Sequence, residues 1–509
     1  MATYPPIPLT QTLATLPPEY PTNTLSQITT YLSSTSTHPR RLVVLDDDPT
    51  GTQTCHNICV LTVWDISTLV AEFRTNSTSF FILTNSRALP PSEAELLIRQ
   101  ICQNVLTAAL ETGLSKDSLD IVLRGDSTLR GHFPLEIDVA QGVFHPASDG
   151  NATAPTWVLA PFFFQGGRYT INDVHYVLEG EDLVPAGQTQ FARDATFGYK
   201  SSNLRDYVLE KAPGRFTAEQ IHSVTLEDIR IGGPEGVRDR LLSFPAGGVV
   251  VANAAAESDM HVFVMGLLLA EAKGLRYIYR TGAAFVSTRL GIPYKPPITA
   301  RELQLPNPRE TGGLILAGSY VPKTTAQLQV LTERRGGLLS VIEMRVEDLI
   351  DSKESAAELI KSVITQTENN LNAGKDTLVM TSRVLVKGDD EISSLKVGSR
   401  VAEALVGVLE GVEVRPRYVI AKVLTLHSRI IYKKETDMGF GIQGGITSSD
   451  AATKGLRMKR ALIVGQAAAG VPLWRCDEET SRHHGVPFVV FPGNVGGEST
   501  LCELVEAWS

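Results

Sequence analysis

The 509-residue sequence has few cysteines and no long apolar run. Its five cysteines, at positions 55, 59, 102, 476 and 502, are an odd and scattered set, which argues against a disulfide framework and favours a reducing compartment. No stretch reaches about 18 uninterrupted apolar residues, so a membrane-spanning helix is not expected. The N-terminus has no basic region followed by an apolar one, unlike a signal peptide. We therefore expect a cytoplasmic protein without a membrane partner.

The sequence also lacks an excess of positive charge. It has 47 Lys and Arg residues against 56 Asp and Glu residues, a formal net charge of −9. This balance argues against bulk nucleic-acid binding, although a local basic pocket for phosphate is still compatible with it. A Walker P-loop is absent as well, because no Gly-Lys-Ser/Thr sequence occurs.

What is present is a repeated alternation of short apolar runs and amphipathic segments, in a chain too long for one core. This pattern predicts an α/β protein of two domains, each a mostly parallel sheet flanked by helices. We expect a loose leader over residues 1–40, a first domain over 41–295, and a second domain over 313–509. Between the two domains, residues 296–312 are rich in proline and have little periodicity, which predicts a linker.

The most informative stretch is RLVVLDDDPTGTQT, residues 41–54. Its apolar run, 42–45, predicts a buried strand, and three adjacent carboxylates follow at once in Asp46, Asp47 and Asp48. These belong at the carboxyl end of the strand, the edge where open α/β sheets bind ligands. Gly51 lets the backbone approach a ligand closely. Polar segments that follow other predicted strands, 85–87, 124–131, 161–168 and 280–282, predict a shared crevice at that edge.

Two glycine-rich turns occur in the second half. Residues 444–450, GGITSSD, offer backbone N–H groups and hydroxyls that lead into a helix, which suits a phosphate. Residues 492–498, PGNVGGE, follow a strand and open the last helix in the same way. With Gly318 and Ser319 after another strand, these turns predict a nucleotide site in the second domain.

Together, these motifs resemble the four-carbon acid sugar kinases. DDPTG at 47–51 is similar to that family's Asp-Asp-Leu-Thr-Gly turn, with Pro49 in place of the commoner Leu. DSTLRG at 126–131 matches its second motif at every position, and FQGGR at 164–168 with VHY at 174–176 resembles its third. Gly318-Ser319, GGITSSD, Gly470-Val471-Pro472 and GNVGGE at 493–498 resemble the motifs of its nucleotide domain. The likeness runs from about residue 41 to about residue 505.

The resemblance implies an N-terminal acid-sugar domain, a C-terminal ATP domain, and phosphorylation of a hydroxyl of erythronate, threonate or a 3-oxo-tetronate with ATP and Mg²⁺. Asp47 or Asp48 is the expected base, and the like charges beside them leave the choice open. The expected substrate-binding residues are Arg87, Asp126, Ser127, Arg130, Gln165 and Arg168. The expected nucleotide-binding residues are Ser319, Gly444, Gly445, Ile446, Thr447, Gly493, Gly496 and Gly497. No metal ligand is singled out, and a homodimer is neither predicted nor excluded.

Two other functions fit parts of the sequence. Asp46 and Asp48 after an apolar strand also match the nucleophile and the acid/base of haloacid-dehalogenase-like phosphatases, with Thr381 and 389–390 in the later roles. That interpretation leaves DSTLRG and the glycine turns unexplained. The other alternative is a non-catalytic acid-sugar sensor that has kept the binding domain and lost phosphoryl transfer.

Residues 423–443 interrupt the pattern that the resemblance leads us to expect. In the family, the strand equivalent to 417–422 runs almost directly into the glycine turn that begins here at Gly444. The 21 intervening residues begin with Val, whose codons start with GT, and end with Gln, one of whose codons ends with AG. We therefore predict that this segment is a retained intron of 63 nucleotides, three for each residue; a surface insertion is the alternative. Sequencing the mature transcript tests this prediction.

Overall fold

The computed structural model describes residues 4–34, 40–146, 154–318, 322–382, 391–422, 450–493 and 495–509, and of 391–396 only the backbone. The predicted insertion, 423–443, lies outside these ranges, as do Ser319, Gly444, Gly445, Ile446, Thr447 and the pair 389–390. The chain divides into two compact units. The N-terminal unit comprises Met1–Cys55 and Val63–Tyr294, and the C-terminal unit comprises His56–Thr62 and Lys295–Ser509.

The strands and helices of the described residues alternate along most of the chain. The strands are β1 (Ile7–Pro8), β2 (Arg41–Asp46), β3 (Ile58–Leu61), β4 (Ser79–Leu83), β5 (Leu119–Arg124), β6 (Thr156–Ala160), β7 (Arg168–Ile171), β8 (Val174–Glu179), β9 (Asp182–Pro185), β10 (Ile221–Val224), β11 (Val249–Ala252), β12 (Tyr277–Thr281), β13 (Leu314–Ala317), β14 (Leu339–Met344), β15 (Asp376–Thr381), β16 (Val419–Lys422), β17 (Arg460–Ala468), β18 (Val471–Cys476) and β19 (Pro487–Phe491).

The helices lie mainly between successive strands. They are α1 (Leu9–Thr15), α2 (Thr24–Ser34), α3 (Ile66–Phe73), α4 (Pro91–Glu111), α5 (Leu135–Phe144), α6 (Leu204–Lys211), α7 (Leu226–Arg230), α8 (Gly233–Leu242), α9 (Glu257–Glu271), α10 (Ala283–Arg289), α11 (Pro322–Arg335), α12 (Val346–Asp351), α13 (Lys353–Asn372), α14 (Glu391–Gly411) and α15 (Thr500–Trp508). None of the described helices combines the length and the hydrophobicity needed to cross a bilayer.

The main sheet of the N-terminal unit is parallel, in the order β10-β11-β6-β12-β5-β2-β4. Its strands are apolar because helices cover both faces of such a sheet; Val43 and Val44 of β2 are fully buried. The chain runs from β2 to β4 on one side and then to β5 on the other, so the strand order reverses at β2. Ligands bind at this kind of position in open α/β sheets. A small antiparallel sheet, β1-β9-β8-β7, belongs to the same unit.

The sheet of the C-terminal unit is mixed, in the order β3-β17-β18-β19-β16-β13-β15-β14. The five strands from β19 to β14 are parallel, and β3, β17 and β18 add antiparallel pairs at one side. The strand order reverses between β13 and β16. Its core includes Tyr418 and Trp508, both almost completely buried. The prediction of two domains built on mostly parallel sheets is therefore confirmed.

Two segments differ from the sequence-based expectation. Residues 4–34 of the expected loose leader contain α1 and α2, and Ile28 of α2 is fully buried, which stabilises the fold by about 2 kcal/mol. The backbone oxygen of Pro17 accepts a hydrogen bond of 2.7 Å from Arg230 Nη1. The expected linker, 296–312, packs along the C-terminal unit. There Ile298 N donates to Gln466 O at 2.7 Å, because proline-rich backbone can still pair wherever an N–H remains.

Candidate functional site

The candidate site lies at the carboxyl ends of β2, β4, β5 and β12. Asp46, the last residue of β2, is in register with Leu83 of β4 and Arg124 of β5. Arg124 is in turn in register with Thr281 of β12. Because the four strands are parallel, the residues that follow them meet at one edge of the sheet. The sequence-based prediction of a shared crevice placed polar groups at this same edge.

The turn after β2 is shaped by Asp48 and Gly51. Asp48 caps the single helical turn Pro49–Thr52, and its Oδ1 accepts a 2.8 Å hydrogen bond from Thr50 N. A Cβ atom at Gly51 would lie 2.2 Å from the carboxylate oxygens of Asp46, so any larger residue would displace that carboxylate. Proline suits position 49, the first of the helical turn, because its N–H would have no helical partner there.

The three adjacent carboxylates have different surroundings. Burial raises the pKa of Asp46 to about 8, although Arg124 Nη1 lies 3.3 Å from its Oδ1. Burial also opposes ionisation of Asp48, but Arg87 and the Thr50 hydrogen bonds outweigh it and hold the pKa of Asp48 below its usual range. The three side chains are therefore not equivalent, which the sequence alone did not indicate.

Asp47 differs from both neighbours. Its side chain is almost fully buried, and neither carboxylate oxygen accepts a hydrogen bond from the described residues. Two arginines lie near the Asp47 carboxylate but beyond hydrogen-bond distance. Arg280 Nη2 lies 3.7 Å from Oδ2, and Arg124 Nη1 lies 3.9 Å from Oδ1. An uncommitted buried carboxylate beside two cations can accept a hydrogen bond from a ligand.

The loop DSTLRG, residues 126–131, follows β5 and folds around Asp126. Its Oδ2 accepts a 2.6 Å hydrogen bond from Arg130 Nε and another from the Thr128 hydroxyl. Arg87 Nη1 lies 3.8 Å from its Oδ1. Burial would raise the pKa of Asp126, but these arginines and hydrogen bonds outweigh it and hold that pKa well below its usual range. A Cβ at Gly131, which has φ +122°, would lie 2.5 Å from Arg280 Nη2.

Buried side chains hold this loop through its backbone oxygens. His175 of β8 lies 2.7 Å from Ser127 O through Nε2 and 2.9 Å from the Thr170 hydroxyl through Nδ1. A carbonyl can only accept, so Nε2 carries the proton and Nδ1 accepts from Thr170. Burial lowers the pKa of His175 to about 4, so the ring is neutral. Tyr199 and Tyr207 donate to Thr128 O and Leu129 O at 2.7 and 3.0 Å.

Arg130 and Arg168 share one aromatic partner. Their guanidinium carbons lie 5.1 and 5.7 Å from the ring centre of Phe191. Among the described residues, neither Nη atom of Arg130 has a hydrogen-bond partner, and Nε of Arg168 has none. Burial lowers the pKa of Arg168. Gln165, the remaining predicted substrate residue, is exposed and donates to Glu257.

The residue that links these groups lies in the polar segment 280–282 of the predicted crevice, but the sequence analysis did not select it as a site residue. Arg280, at the end of β12, is 7% exposed; it donates to Glu136 Oε2 at 3.1 Å and to Arg130 O at 3.3 Å. A Cβ at Gly125 would lie 2.1 Å from its guanidinium carbon. An arginine that ends an apolar strand was the available signal. Glu136 and Phe191 gave none, because neither belongs to a motif.

The cluster carries more positive than negative charge. Its five guanidiniums belong to Arg87, Arg124, Arg130, Arg168 and Arg280. Its five carboxylates belong to Asp46, Asp47, Asp48, Asp126 and Glu136. With a pKa near 8, Asp46 is mostly protonated at neutral pH, so the arginines outnumber the ionised carboxylates. Such a cluster suits a small anion with hydroxyl groups.

In the C-terminal unit, Gly493, Gly496 and Gly497 lie between β19 and α15. Gly496 has φ +77°, and Gly497 N donates to Thr500 Oγ1 at 2.9 Å. The described residues thus include three of the eight predicted nucleotide-binding positions.

Two family profiles match most of the chain. The profile of a sugar-binding N-terminal domain matches residues 42–289, and that of a nucleotide-binding C-terminal domain matches residues 314–501. The chain belongs to the four-carbon acid sugar kinase family. The cluster around Asp47 lies in the sugar-binding domain, and the turn at 493–497 lies in the nucleotide-binding domain.

Solved structures share this family's fold. HI1011 of Haemophilus influenzae, a DUF1537 protein, is 15% identical with a TM-score of 0.57, and the alignment covers 91% of this chain and 99% of that one. A Salmonella typhimurium LT2 protein provisionally named a tRNA synthase is 14% identical with a TM-score of 0.60, covering 92% and 98%. At these identities the likeness concerns the fold alone. No curated protein sequence matches the chain.

The phosphatase alternative requires Asp46 as a nucleophile. Its side chain is 1% exposed and packs against Gly51 and Arg124, and its raised pKa keeps it mostly protonated at neutral pH. A protonated, enclosed carboxyl group is a poor nucleophile. Membership of the acid sugar kinase family also argues against this alternative.

Proposed function

We propose that this protein is an ATP-dependent kinase that phosphorylates a hydroxyl group of a four-carbon acid sugar, namely erythronate, threonate or a 3-oxo-tetronate. The observation that carries the proposal is the uncommitted Asp47 carboxylate within an arginine-rich cluster of a sugar-binding domain. A nucleotide-binding domain in the same chain supplies the other half of the argument.

Arg130 and Arg168 are the proposed partners of the substrate carboxylate. Guanidinium groups bind carboxylates through two parallel hydrogen bonds, and Arg130 has both Nη atoms uncommitted among the described residues. Contact with the Phe191 ring offsets part of the repulsion between the two cations. Asp126, which pairs with Arg130, is proposed to accept hydrogen bonds from the sugar hydroxyls, and the hydroxyl of Ser127, the next residue, is proposed to accept or donate one. Arg87, paired with Asp48, is proposed to orient this edge of the site.

Asp47 is the proposed base. In the reaction, the substrate hydroxyl oxygen forms a bond to the γ-phosphorus of ATP, the bond from that phosphorus to the bridging oxygen breaks, and ADP leaves. The hydroxyl proton passes to Asp47, whose oxygens accept no other hydrogen bond among the described residues. Asp48 suits this role less well, because Arg87 and Thr50 already occupy its oxygens.

Mg²⁺ enters this proposal as part of the MgATP substrate. Within the described ranges, no three His, Cys, Asp or Glu side chains form a group that could hold a metal ion. Magnesium in phosphoryl-transfer enzymes is held largely by substrate phosphates and water.

The test is ATP consumption by the full-length protein with erythronate, threonate or their 3-oxo forms. We expect ADP and a phosphorylated acid sugar in equal amounts with at least one of these compounds, and little ADP without any of them. A phosphatase would release phosphate from sugar phosphates without using ATP. An acid-sugar sensor would show a raised melting temperature with one acid sugar but no turnover, and either result would contradict the kinase proposal.

A further inference from the structure

Lys422 is a buried lysine at the carboxyl end of β16. It is 3% exposed and is in register with Ala317 of β13 and Phe491 of β19. It therefore lies at the carboxyl ends of three neighbouring parallel strands, next to the point where the strand order of the C-terminal unit reverses. This is the edge at which open α/β sheets bind ligands. None of the predicted site residues is Lys422.

The charge of Lys422 has no anionic partner among the described residues, since no carboxylate there lies within 4 Å of its Nζ. Nζ donates to the neutral Gln327 Oε1 and lies 4.1 Å from the ring centre of Phe491. A carbonyl and a ring compensate a buried ammonium only in part. Burial, and to a smaller extent the charge of Lys323 on α11, lower the pKa of Lys422 to about 7.

Gln327 of α11 ties the lysine to the glycine turn. While its Oε1 accepts from Lys422, its Nε2 donates to the backbone oxygens of Val495 and Gly497 at 3.2 and 2.8 Å. The side chain is fully buried, so these bonds determine its orientation. The position of the ammonium group is thus coupled to the turn between β19 and α15.

A second donor lies on the same helix. Thr324, in the first turn of α11, is fully buried, and its Oγ1 has no hydrogen-bond partner among the described residues. The first turn of a helix also presents unpaired N–H groups and the positive end of the helix dipole. An anion at this edge would meet a lysine, a hydroxyl and a helix N-terminus.

From this arrangement we propose that Lys422 binds a phosphate group of the nucleotide, and that Gln327 is a positioning residue that aligns Lys422 with the glycine turn. The inference rests on the proposed function, because it takes the nucleotide as the ligand of the C-terminal unit. It adds a phosphate-binding residue outside the glycine-rich motifs. Phosphate would supply the negative charge that the described protein groups do not give to this lysine.

Proton uptake should accompany binding. A phosphate beside Lys422 favours its charged form and raises its pKa above the value near 7 in the free protein. At pH 8 the free lysine is mostly neutral and the bound one is charged, so each binding event takes up close to one proton. Lys323 of α11 acts on Lys422 through its charge and is kept unchanged in every variant.

The experiment is titration calorimetry of the full-length protein at pH 8 with the magnesium complex of the non-hydrolysable ATP analogue AMPPNP, and separately with adenosine. Comparing buffers of different ionisation enthalpy gives the number of protons taken up. The variants are Lys422→Met, Lys422→Arg and the matched control Lys361→Met, which removes an exposed lysine from α13.

We expect Lys422→Met to weaken AMPPNP binding by at least about 30-fold, to abolish proton uptake and to leave adenosine binding within about threefold. Its melting temperature without ligand should stay the same or rise, since the cost of burying the polar amine group is removed. Lys422→Arg should retain binding within about tenfold, and Lys361→Met should match the wild type.

Unchanged AMPPNP affinity and proton uptake in Lys422→Met would overturn the inference and leave the kinase proposal standing. A large loss of melting temperature, with equal losses of adenosine and AMPPNP binding, would show a merely structural lysine and would also overturn it. A wild-type protein that binds no AMPPNP would contradict the proposed function itself.

Discussion

The two candidate sites lie at equivalent sheet edges but manage charge in opposite ways. In the N-terminal unit, every arginine of the cluster lies near a carboxylate or an aromatic ring. Arg280, for example, has three partners: Glu136, Asp47 and the backbone oxygen of Arg130. In the C-terminal unit, Lys422 has a neutral amide and a ring as partners within the described residues. The charges of the N-terminal cluster are thus largely compensated by other protein groups. The charge of Lys422 is not, and a bound anion can compensate it.

This difference predicts different costs of mutation. Removing one member of a compensated network leaves its partners buried and unpaired, which destabilises the fold. Removing a charge that has no partner does not destabilise the fold and lowers only the affinity for the ligand. Mutations in the network around Asp47 should therefore lower both stability and substrate binding. Mutation of Lys422 should lower ligand binding without lowering stability.

The largest expected effect is on turnover. Asp47→Asn should lower kcat by about 10³- to 10⁴-fold, because the substituted amide does not take the hydroxyl proton. The Kd for the AMPPNP magnesium complex should stay within about twofold, since Asp47 belongs to the sugar-binding domain. Steady-state kinetics and calorimetry measure the two quantities.

Asp48→Asn is the matched control for Asp47→Asn. It should lower stability through loss of the Arg87 pair while retaining more activity than Asp47→Asn. Near-normal turnover of Asp47→Asn with a severe loss in Asp48→Asn would reverse the assignment of the base.

Next in size is the effect of Arg280 on stability. Arg280→Met removes the guanidinium partner of Glu136 and one of the two near Asp47, and should reduce the free energy of unfolding of the N-terminal unit by about 3–5 kcal/mol. Urea unfolding followed by circular dichroism measures this loss. The control Arg334→Met removes an exposed ion pair with Glu506 and should cost less than about 1 kcal/mol. Equal losses in both variants would contradict the idea of a compensated network.

A smaller effect concerns pH and His175. Its pKa is about 4 in the folded protein and about 6.5 when unfolded, so unfolding takes up a proton between these values. The contribution of neutral His175 is complete above pH 6.5 and is lost as the pH falls toward 4, by about 2.5 kcal/mol at pH 4.5. His175→Gln should lack this part of the acid destabilisation. Parallel stability curves for the wild type and the variant from pH 7 to 4.5 would contradict it.

The smallest expected effect concerns Phe191. Phe191→Leu removes the ring that both Arg130 and Arg168 contact, and should raise the acid-sugar KM about five- to tenfold, the size of one or two cation–π contacts. The KM for ATP should not change. Phe244→Leu replaces a ring that contacts Arg240, outside the cluster, and is the control. A similar rise in both variants would show that Phe191 has no special place in the site.

Much of the N-terminal site could be predicted from local sequence. An apolar strand followed by charged or small residues identifies a sheet edge, and in the structure Asp47 follows β2 while Asp126 and Arg130 follow β5, which ends in register with β2. The signal fails for residues whose role depends on distant packing. Glu136 lies on an ordinary helix, and Phe191 lies in a short 3-10 turn more than 20 residues from either arginine.

The same limit applies to Lys422 in the C-terminal unit. It also applies to the predicted leader and the predicted linker. Lys422 ends a short apolar strand and carries no motif by itself; its burial comes from β13, β19 and α11, which are far apart in sequence. The sequence predicts a loose leader over residues 1–40 and a proline-rich linker over 296–312. The structure shows that both segments pack through several hydrogen bonds and a few buried side chains.

The most direct test of the account measures two Michaelis constants in two variants of the full-length enzyme. Arg130→Ala should raise the acid-sugar KM by about 30-fold or more, equivalent to at least about 2 kcal/mol, and leave the ATP KM unchanged. Lys422→Met should do the reverse. If Arg130→Ala raised the ATP KM and left the acid-sugar KM unchanged, the assigned roles of the two units would be wrong.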